Sequence, residues 1–150
     1  TGTRQVMEQN GRPGPGRPGR ADAAVPAVRA HILFVDDDAN LAELARLMLT
    51  RLGCRATVCT DSTVALRLFR DQPDRFDAVI TDQIMPGLSG TELAVLLRAV
   101  RPDLPVVLCT GGSHDTEELA RNAGITEILW KPLTSRSLAT LLHRLLSPRR

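Results

Sequence analysis

Aromatic residues are only 3% of the 150 positions: one tryptophan, three phenylalanines and no tyrosine. A surface that stacks on unpaired nucleic-acid bases therefore has almost no material to work with, and a core must be built from Leu, Val, Ile and Ala. Cysteine is scarce as well. Cys54, Cys59 and Cys109 are odd in number, show no CxxC spacing and have no His cluster near them, which excludes a disulfide framework and a zinc site. They read as buried thiols of a reducing cytoplasm. No apolar run reaches the ~18 residues that span a bilayer, and no charged-then-apolar leader opens the chain. GxxxxGK followed by Ser or Thr does not occur, and the GxGxxG spacing occurs only as Gly14, Gly16 and Gly19 in a Pro/Arg-rich stretch with no apolar strand run before it, which disfavours a flavin or nucleotide binder. The formal net charge is only +2, and Arg4, Arg12, Arg17, Arg20 and Arg29 at the start more than account for it. The remaining body is nearly neutral, unlike a DNA-binding surface. Lysine is almost missing too: Lys131 stands alone beside eighteen arginines.

The sequence divides near residue 30. Residues 11–20, GRPGPGRPGR, contain no apolar side chain and cannot offset the entropy of ordering. Residues 1–29 are therefore expected to be a flexible Pro/Gly/Arg-rich linker. A start at Thr1 rather than Met suggests a fragment of a longer protein. From His31 onward, short apolar runs alternate with longer helical stretches. The runs are Ile32–Val35, Ala56–Cys59, Ala78–Thr81, Val106–Cys109 and Ile128–Trp130, each short enough for a buried strand. Helical periodicity is clearest in Leu41, Leu44, Ala45, Met48 and Leu52, in Leu93, Leu96, Leu97 and Val100, and in Leu138, Leu141, Leu142 and Leu145. Weaker helices are expected near 62–71 and 115–123. Gly53 and Gly124 stand where helices should stop. Five βα units within residues 30–147 predict an α/β, flavodoxin-like doubly wound fold with a five-stranded parallel sheet of order 2-1-3-4-5. Residues 148–150 are left as a C-terminal tail.

In such folds the ligand crevice lies at the carboxyl ends of the strands. Asp36, Asp37 and Asp38 follow the first strand, Asp82 the third, Thr110, Gly111 and Gly112 the fourth, and Lys131 and Pro132 the fifth. Carboxylates gathered there repel by several kcal/mol per close pair, on the order of 4 kcal/mol at ~4 Å, so a cation must join them. A donor set of oxygens without His or Cys points to Mg²⁺, with Mn²⁺ able to substitute. Lys131 supplies a compact second positive charge where the chain otherwise chooses arginine. A carboxylate beside a divalent cation, an ammonium and a hydroxyl is arranged to attack phosphorus: Asp82 as nucleophile, Lys131 neutralising charge, Thr110 donating to a phosphoryl oxygen.

HILFVDDD, ITDQIMPGLSG, VVLCTGG and ILWKPL, in this order and at close to this spacing, resemble the receiver domains of two-component response regulators over about residues 30–147. The resemblance implies that Asp82 accepts phosphate, that Asp36 and Asp37 bind Mg²⁺ with it, and that the backbone carbonyl of Ile84 completes the metal shell. It also implies that Thr110 is the switch hydroxyl, that Lys131 contacts the phosphate, and that the Lys131–Pro132 step can be cis. Ile128 occupies a switch position where relatives often carry an aromatic residue. Ile84 and Gly112 occupy positions that govern access of hydrolytic water, and neither is polar. The wording DQIMPGLSG, LCTGGS and WKPL looks most like the C-terminal receiver of a hybrid sensor histidine kinase.

The implied activity is self-catalysed phosphorylation and dephosphorylation. Implied partners are a histidine kinase core or a histidine phosphotransfer protein, with no nucleic acid and no membrane contact by this chain, as a monomer or weak dimer in the cytoplasm. The alternative is a stand-alone single-domain regulator that binds a partner when phosphorylated. His31, His114 and His143 are expected at surfaces or edges, and Trp130 is expected beneath a helix.

Overall fold

Along the first parallel strand, alternate side chains face opposite ways. Ile32 and Phe34 join one core cluster and Leu33 and Val35 the other, all four fully buried. The computed structural model describes residues 6–9, 29–112 and 115–146. Its elements run β1 (Val6–Gln9), β2 (His31–Val35), α1 (Ala39–Arg51), β3 (Arg55–Cys59), α2 (Ser62–Asp71), β4 (Ala78–Thr81), α3 (Gly90–Val100), β5 (Val106–Thr110), α4 (Thr116–Asn122), β6 (Glu127–Trp130) and α5 (Ser135–Leu146). The sheet order is β1-β3-β2-β4-β5-β6. Strands β2 to β6 are parallel and give the expected 2-1-3-4-5 arrangement.

One strand was not expected. Val6–Gln9, placed by composition inside a linker, pairs antiparallel with β3, Val6 opposite Cys59 and Gln9 opposite Ala56. An edge strand presents a row of unpaired N–H and C=O groups, and an extended neighbour can satisfy them without a strong strand-forming sequence of its own. The rest of the expected linker, residues 1–5 and 10–28, and the tail at 148–150 lie outside the described residues.

Helices α1 and α5 cover one face through Ala42, Ala45, Leu49, Leu138, Leu141 and Leu142. Helices α2 and α3 cover the other through Ala65, Leu66, Phe69, Leu93, Ala94 and Leu97. The polar punctuation sets where these helices start and stop. After α1, Gly53 takes φ 93°, and the Cys54 N–H reaches back to the Leu49 carbonyl at 2.9 Å, closing the helix end. Asp61 caps α2 by accepting from the Thr63 and Val64 N–H groups at 2.8 and 3.3 Å. Its hydrogen bond from the Thr63 hydroxyl, with those from the two amides, holds its carboxyl below the usual carboxylate range.

Asp61→Ala is expected to cost about 1 kcal/mol in urea unfolding. Because the folded-state pKa is depressed, the cap's ionised contribution is present above the ordinary carboxylate range and is lost as pH falls through the folded value. The difference between wild type and Asp61→Ala should therefore shrink on strong acidification.

His31 departs from its expected surface or edge role. It is 4% exposed, with Nε2 2.7 Å from the Thr57 hydroxyl and its ring edge-on to Phe76 at 4.8 Å. Its position at the start of an interior strand accounts for the burial. His143 is exposed, and His114 lies outside the described residues. The cysteines are buried as expected. Burial pushes the thiols up, Cys54 to about 11 and Cys59 and Cys109 to about 12, so they are held as thiols at neutral pH.

Candidate functional site

At the carboxyl ends of β2 and β4 the chain leaves the sheet as acid. The Asp36 N–H still bonds the Cys59 carbonyl at 3.1 Å, and the Asp82 N–H bonds the Val35 carbonyl at 2.9 Å, so both residues are fixed by the ends of the ladders. Asp36 is 1% exposed and Asp82 8%, while Asp37 is on the surface. One carboxylate oxygen from each of Asp36, Asp37 and Asp82 lies within 4.8 Å of the others. At that separation and an effective dielectric near 20, repulsion between the buried pair is on the order of 3 kcal/mol.

Part of the repulsion is offset from the end of β6. Lys131 Nζ stands 3.0 Å from Asp36 Oδ2 and 3.5 Å from Asp82 Oδ1. Burial works against the ammonium, but the hydrogen bond to Asp36 and the charges of Asp36 and Asp82 outweigh it and raise its pKa. Asp36 is also shifted upward, because burial exceeds the opposing effects of the Asp38 N–H and Lys131. One amine thus faces three carboxylates and leaves the cluster negative. The remaining demand for positive charge, among donors that are all oxygens, fits a hard divalent cation.

The backbone around this rim is tightly seated. Lys131 N–H donates to the Thr110 carbonyl at 3.0 Å, and the following Lys131–Pro132 peptide is cis, as the resemblance allowed. Thr110 is 3% exposed, and its hydroxyl oxygen accepts from the Gly112 N–H at 3.2 Å. Beyond Asp82, the Gly90 position explains why glycine is needed there. A Cβ at Gly90 would lie 2.1 Å from the Asp82 carbonyl oxygen, so any side chain would push α3 off the acidic loop.

Sequence reasoning placed Asp36, Asp37, Asp82 and Lys131 together, and the structure brings them together. Thr110 ends the strand beside β6. Ile84 projects its side chain into solvent, 76% exposed, and Ile128 is half-buried on β6. Trp130 corrects the expectation of a ring beneath a helix. It is 45% exposed and lies so close to Gly112 that a Cβ there would come within 2.4 Å of the ring. β6 is the sheet's outer strand, so its last residue has no helix to cover it. Gln83 and Gly90 were missed. The readable signal was the S-x-x-E capping box of Ser89 and Glu92, which fixes the helix start one residue after Ser89 and so the contact of Gly90 with the acidic loop.

Comparison with known proteins agrees with this arrangement. Residues 32–143 match the family described as response regulator receiver domain. The two-component response regulator ARR14 of Arabidopsis thaliana is 34% identical over 111 residues, 73% of this chain and 29% of that protein. Transcription factor SKN7 of Candida albicans is 31% identical, with 84% of this chain and 22% of that protein covered. The chain thus spans well under half the length of these relatives. Among solved structures, a receiver domain protein from Clostridium thermocellum superposes with a TM-score of 0.73 at 30% identity, covering 78% of this chain and 94% of that one. The BeF3-activated DrrB receiver domain superposes with a TM-score of 0.69 at 25% identity, covering 81% and 100%. A match spanning most of the folded body, on a sheet of the same order, leaves one conclusion: this chain belongs to the response regulator receiver domain family of two-component systems.

Proposed function

We propose that this receiver accepts a phosphoryl group on Asp82 from a phosphohistidine, carried by a histidine kinase core or a histidine phosphotransfer protein. The supporting observation is the convergence of three carboxylates and one amine at a single strand-end rim. Asp36, Asp37 and Asp82 would hold Mg²⁺, or Mn²⁺ in its place, with the Ile84 carbonyl completing the set. The ion, when bound, supplies charge neutralisation for the transferring phosphoryl oxygens.

The chain's own residues do the rest. An Asp82 carboxylate oxygen forms the new O–P bond as the N–P bond of the phosphohistidine breaks, and the departing imidazole retains the electron pair and takes up a proton. Lys131, already 3.5 Å from Asp82, compensates the charge carried by the incoming phosphoryl group. Thr110, at the adjacent strand end, serves as the switch hydroxyl that donates to a phosphoryl oxygen, with Ile128 as the neighbouring switch position on β6. Attack of water on the phosphorus of that acyl phosphate breaks the Asp82 O–P bond, frees the Asp82 carboxylate and releases inorganic phosphate, which makes the chain a catalyst of its own dephosphorylation.

The hybrid sensor histidine kinase setting draws its support from the wording DQIMPGLSG, LCTGGS and WKPL. The second reading, a response regulator acting by phosphorylation-dependent protein binding, is supported by relatives described as response regulators and transcription factors. The coding sequence upstream of Thr1 separates the two: a kinase core there supports the first, its absence the second. No described helix is long and apolar enough to cross a membrane. We place this receiver in the cytoplasm, as a monomer or weak dimer without nucleic-acid contact.

The test is binding of beryllofluoride, a mimic of the acyl phosphate, followed by ¹⁹F NMR. Bound signal is expected with Mg²⁺ and not without it; binding that ignores the metal would count against the scheme. Asp37→Ala is expected to weaken Mg²⁺ by about tenfold in the same titration, the equivalent of ~1.4 kcal/mol, while leaving thermal stability nearly unchanged because Asp37 is exposed.

A further inference from the structure

Immediately after Asp82, Gln83 is bonded at both ends of its backbone and at both kinds of atom in its amide. Its N–H donates to Asp82 Oδ1 at 2.8 Å, and its carbonyl accepts from the Gly90 N–H at 3.0 Å. Its side-chain Oε1 accepts from the Thr91 N–H at 2.8 Å, and its Nε2 donates to the Thr91 hydroxyl at 3.2 Å. The side chain therefore reaches across the loop and caps an N–H group in the first turn of α3 that has no partner within the helix.

Farther along, the loop is held by Met85, buried in the core, and by Ser62, whose hydroxyl donates to the Pro86 carbonyl at 3.2 Å and accepts from the Leu88 N–H at 3.0 Å, so the Gln83–Thr91 contact fastens the end next to Asp82. Ile84, Pro86 and Gly87 are exposed, and Gly87 sits at φ 84°. The seat at Gly90 tolerates no displacement toward Asp82, since α3 already approaches the Asp82 carbonyl to the limit a glycine allows. The Asp82 carbonyl also accepts from the Thr81 hydroxyl at 2.9 Å. Where the loop is anchored thus decides where the Gln83 N–H points, and that N–H engages the same carboxylate oxygen that Lys131 approaches at 3.5 Å. Among the described residues the hydrogen bond from the Gln83 N–H falls on Asp82 Oδ1 and none reaches Oδ2, so the contact also distinguishes the two oxygens of the carboxylate.

We propose that Gln83 is a positioning residue. By gripping Thr91 it locks the Asp82 loop to the start of α3 and fixes the orientation of the Asp82 carboxylate. This rests on the phosphoryl-accepting role of Asp82 and adds to it a residue that touches neither metal nor phosphorus through its side chain. A misplacement of about 1 Å at a reacting group is enough to cost rate and affinity.

The experiment titrates beryllofluoride at saturating Mg²⁺ and, in parallel, measures urea unfolding. Gln83→Met keeps length and stem while deleting both amide bonds. It is expected to bind about tenfold more weakly. Thr91→Val removes only the hydroxyl and should give an intermediate loss. The double variant should bind no more weakly than Gln83→Met alone, because both act through one contact. Thr91→Ser retains both bonds and should bind like wild type. If Gln83→Met and Thr91→Val lower the unfolding midpoint but bind beryllofluoride as wild type does, the clamp is structural only and the proposal is wrong. Should Gln83→Met fail to fold, Thr91→Val and Thr91→Ser decide the matter by the same criterion. Failure of the wild type itself to bind would remove the phosphoryl-accepting role and this inference with it.

Discussion

Asp82→Asn is expected to abolish magnesium-dependent capture of beryllofluoride while leaving the fold intact. Asparagine has the shape of aspartate, and its side-chain oxygen can still accept from the Gln83 N–H, now 2.8 Å from Asp82 Oδ1. The variant loses the negative charge and with it the nucleophile. Removing one carboxylate also relieves repulsion with Asp36, whose oxygen lies within 4.8 Å. The variant should therefore unfold in urea at the same concentration as wild type or a higher one, even though Lys131 loses a charged neighbour. Loss of ligand binding together with retained or increased stability separates a reactive role from a structural one. Binding equal to wild type would show that the acyl-phosphate site lies elsewhere.

The second large effect is expected at the only lysine. Lys131→Arg preserves the positive charge but not its shape. The ammonium here is a compact donor that reaches two carboxylates from one point, 3.0 Å from Asp36 Oδ2 and 3.5 Å from Asp82 Oδ1. A guanidinium is longer and planar, and it donates in a fixed fork. It can satisfy one buried carboxylate in the bidentate manner but not stand between two and a phosphoryl oxygen. Loss of one charge-assisted hydrogen bond corresponds to ~1.5–3 kcal/mol, so beryllofluoride affinity should fall by about tenfold to a hundredfold. Unfolding in urea should change little, because charge balance is kept. An arginine variant that binds as tightly as wild type would show that a lysine at this position is incidental in a chain with eighteen arginines.

Much of this site is readable from sequence because it depends on backbone topology. Once Ile32–Val35, Ala78–Thr81, Val106–Cys109 and Ile128–Trp130 are taken as neighbouring parallel strands, their order brings the residues just past their carboxyl ends to one rim. Asp36, Asp82 and Lys131 then meet without further assumption. The structure extends these runs by a residue or so, to His31, Arg55, Thr110 and Glu127, where ladder bonds continue past the apolar stretch. The features that could not be read depend on tertiary neighbours. His31 looked like a polar strand start, but the strand lies between β3 and β4, so its ring is enclosed with Thr57 and Phe76. Trp130 looked like core material, but on an outer strand it is 45% exposed. Val6–Gln9 carries no strand signal of its own and pairs because the β3 edge supplies the template. Gln83 has no recognisable motif; its importance exists only where Thr91 has been folded against it.

The most direct measurement is covalent. The chain is incubated with a small acyl phosphate such as acetyl phosphate, with and without Mg²⁺, and the modified position is located by tandem mass spectrometry. The account predicts a gain of one phosphoryl group, confined to the peptide containing Asp82, dependent on the metal and absent from Asp82→Asn. Phosphoryl transfer to a different residue, or modification of Asp82 that proceeds equally well without a divalent cation, would contradict it.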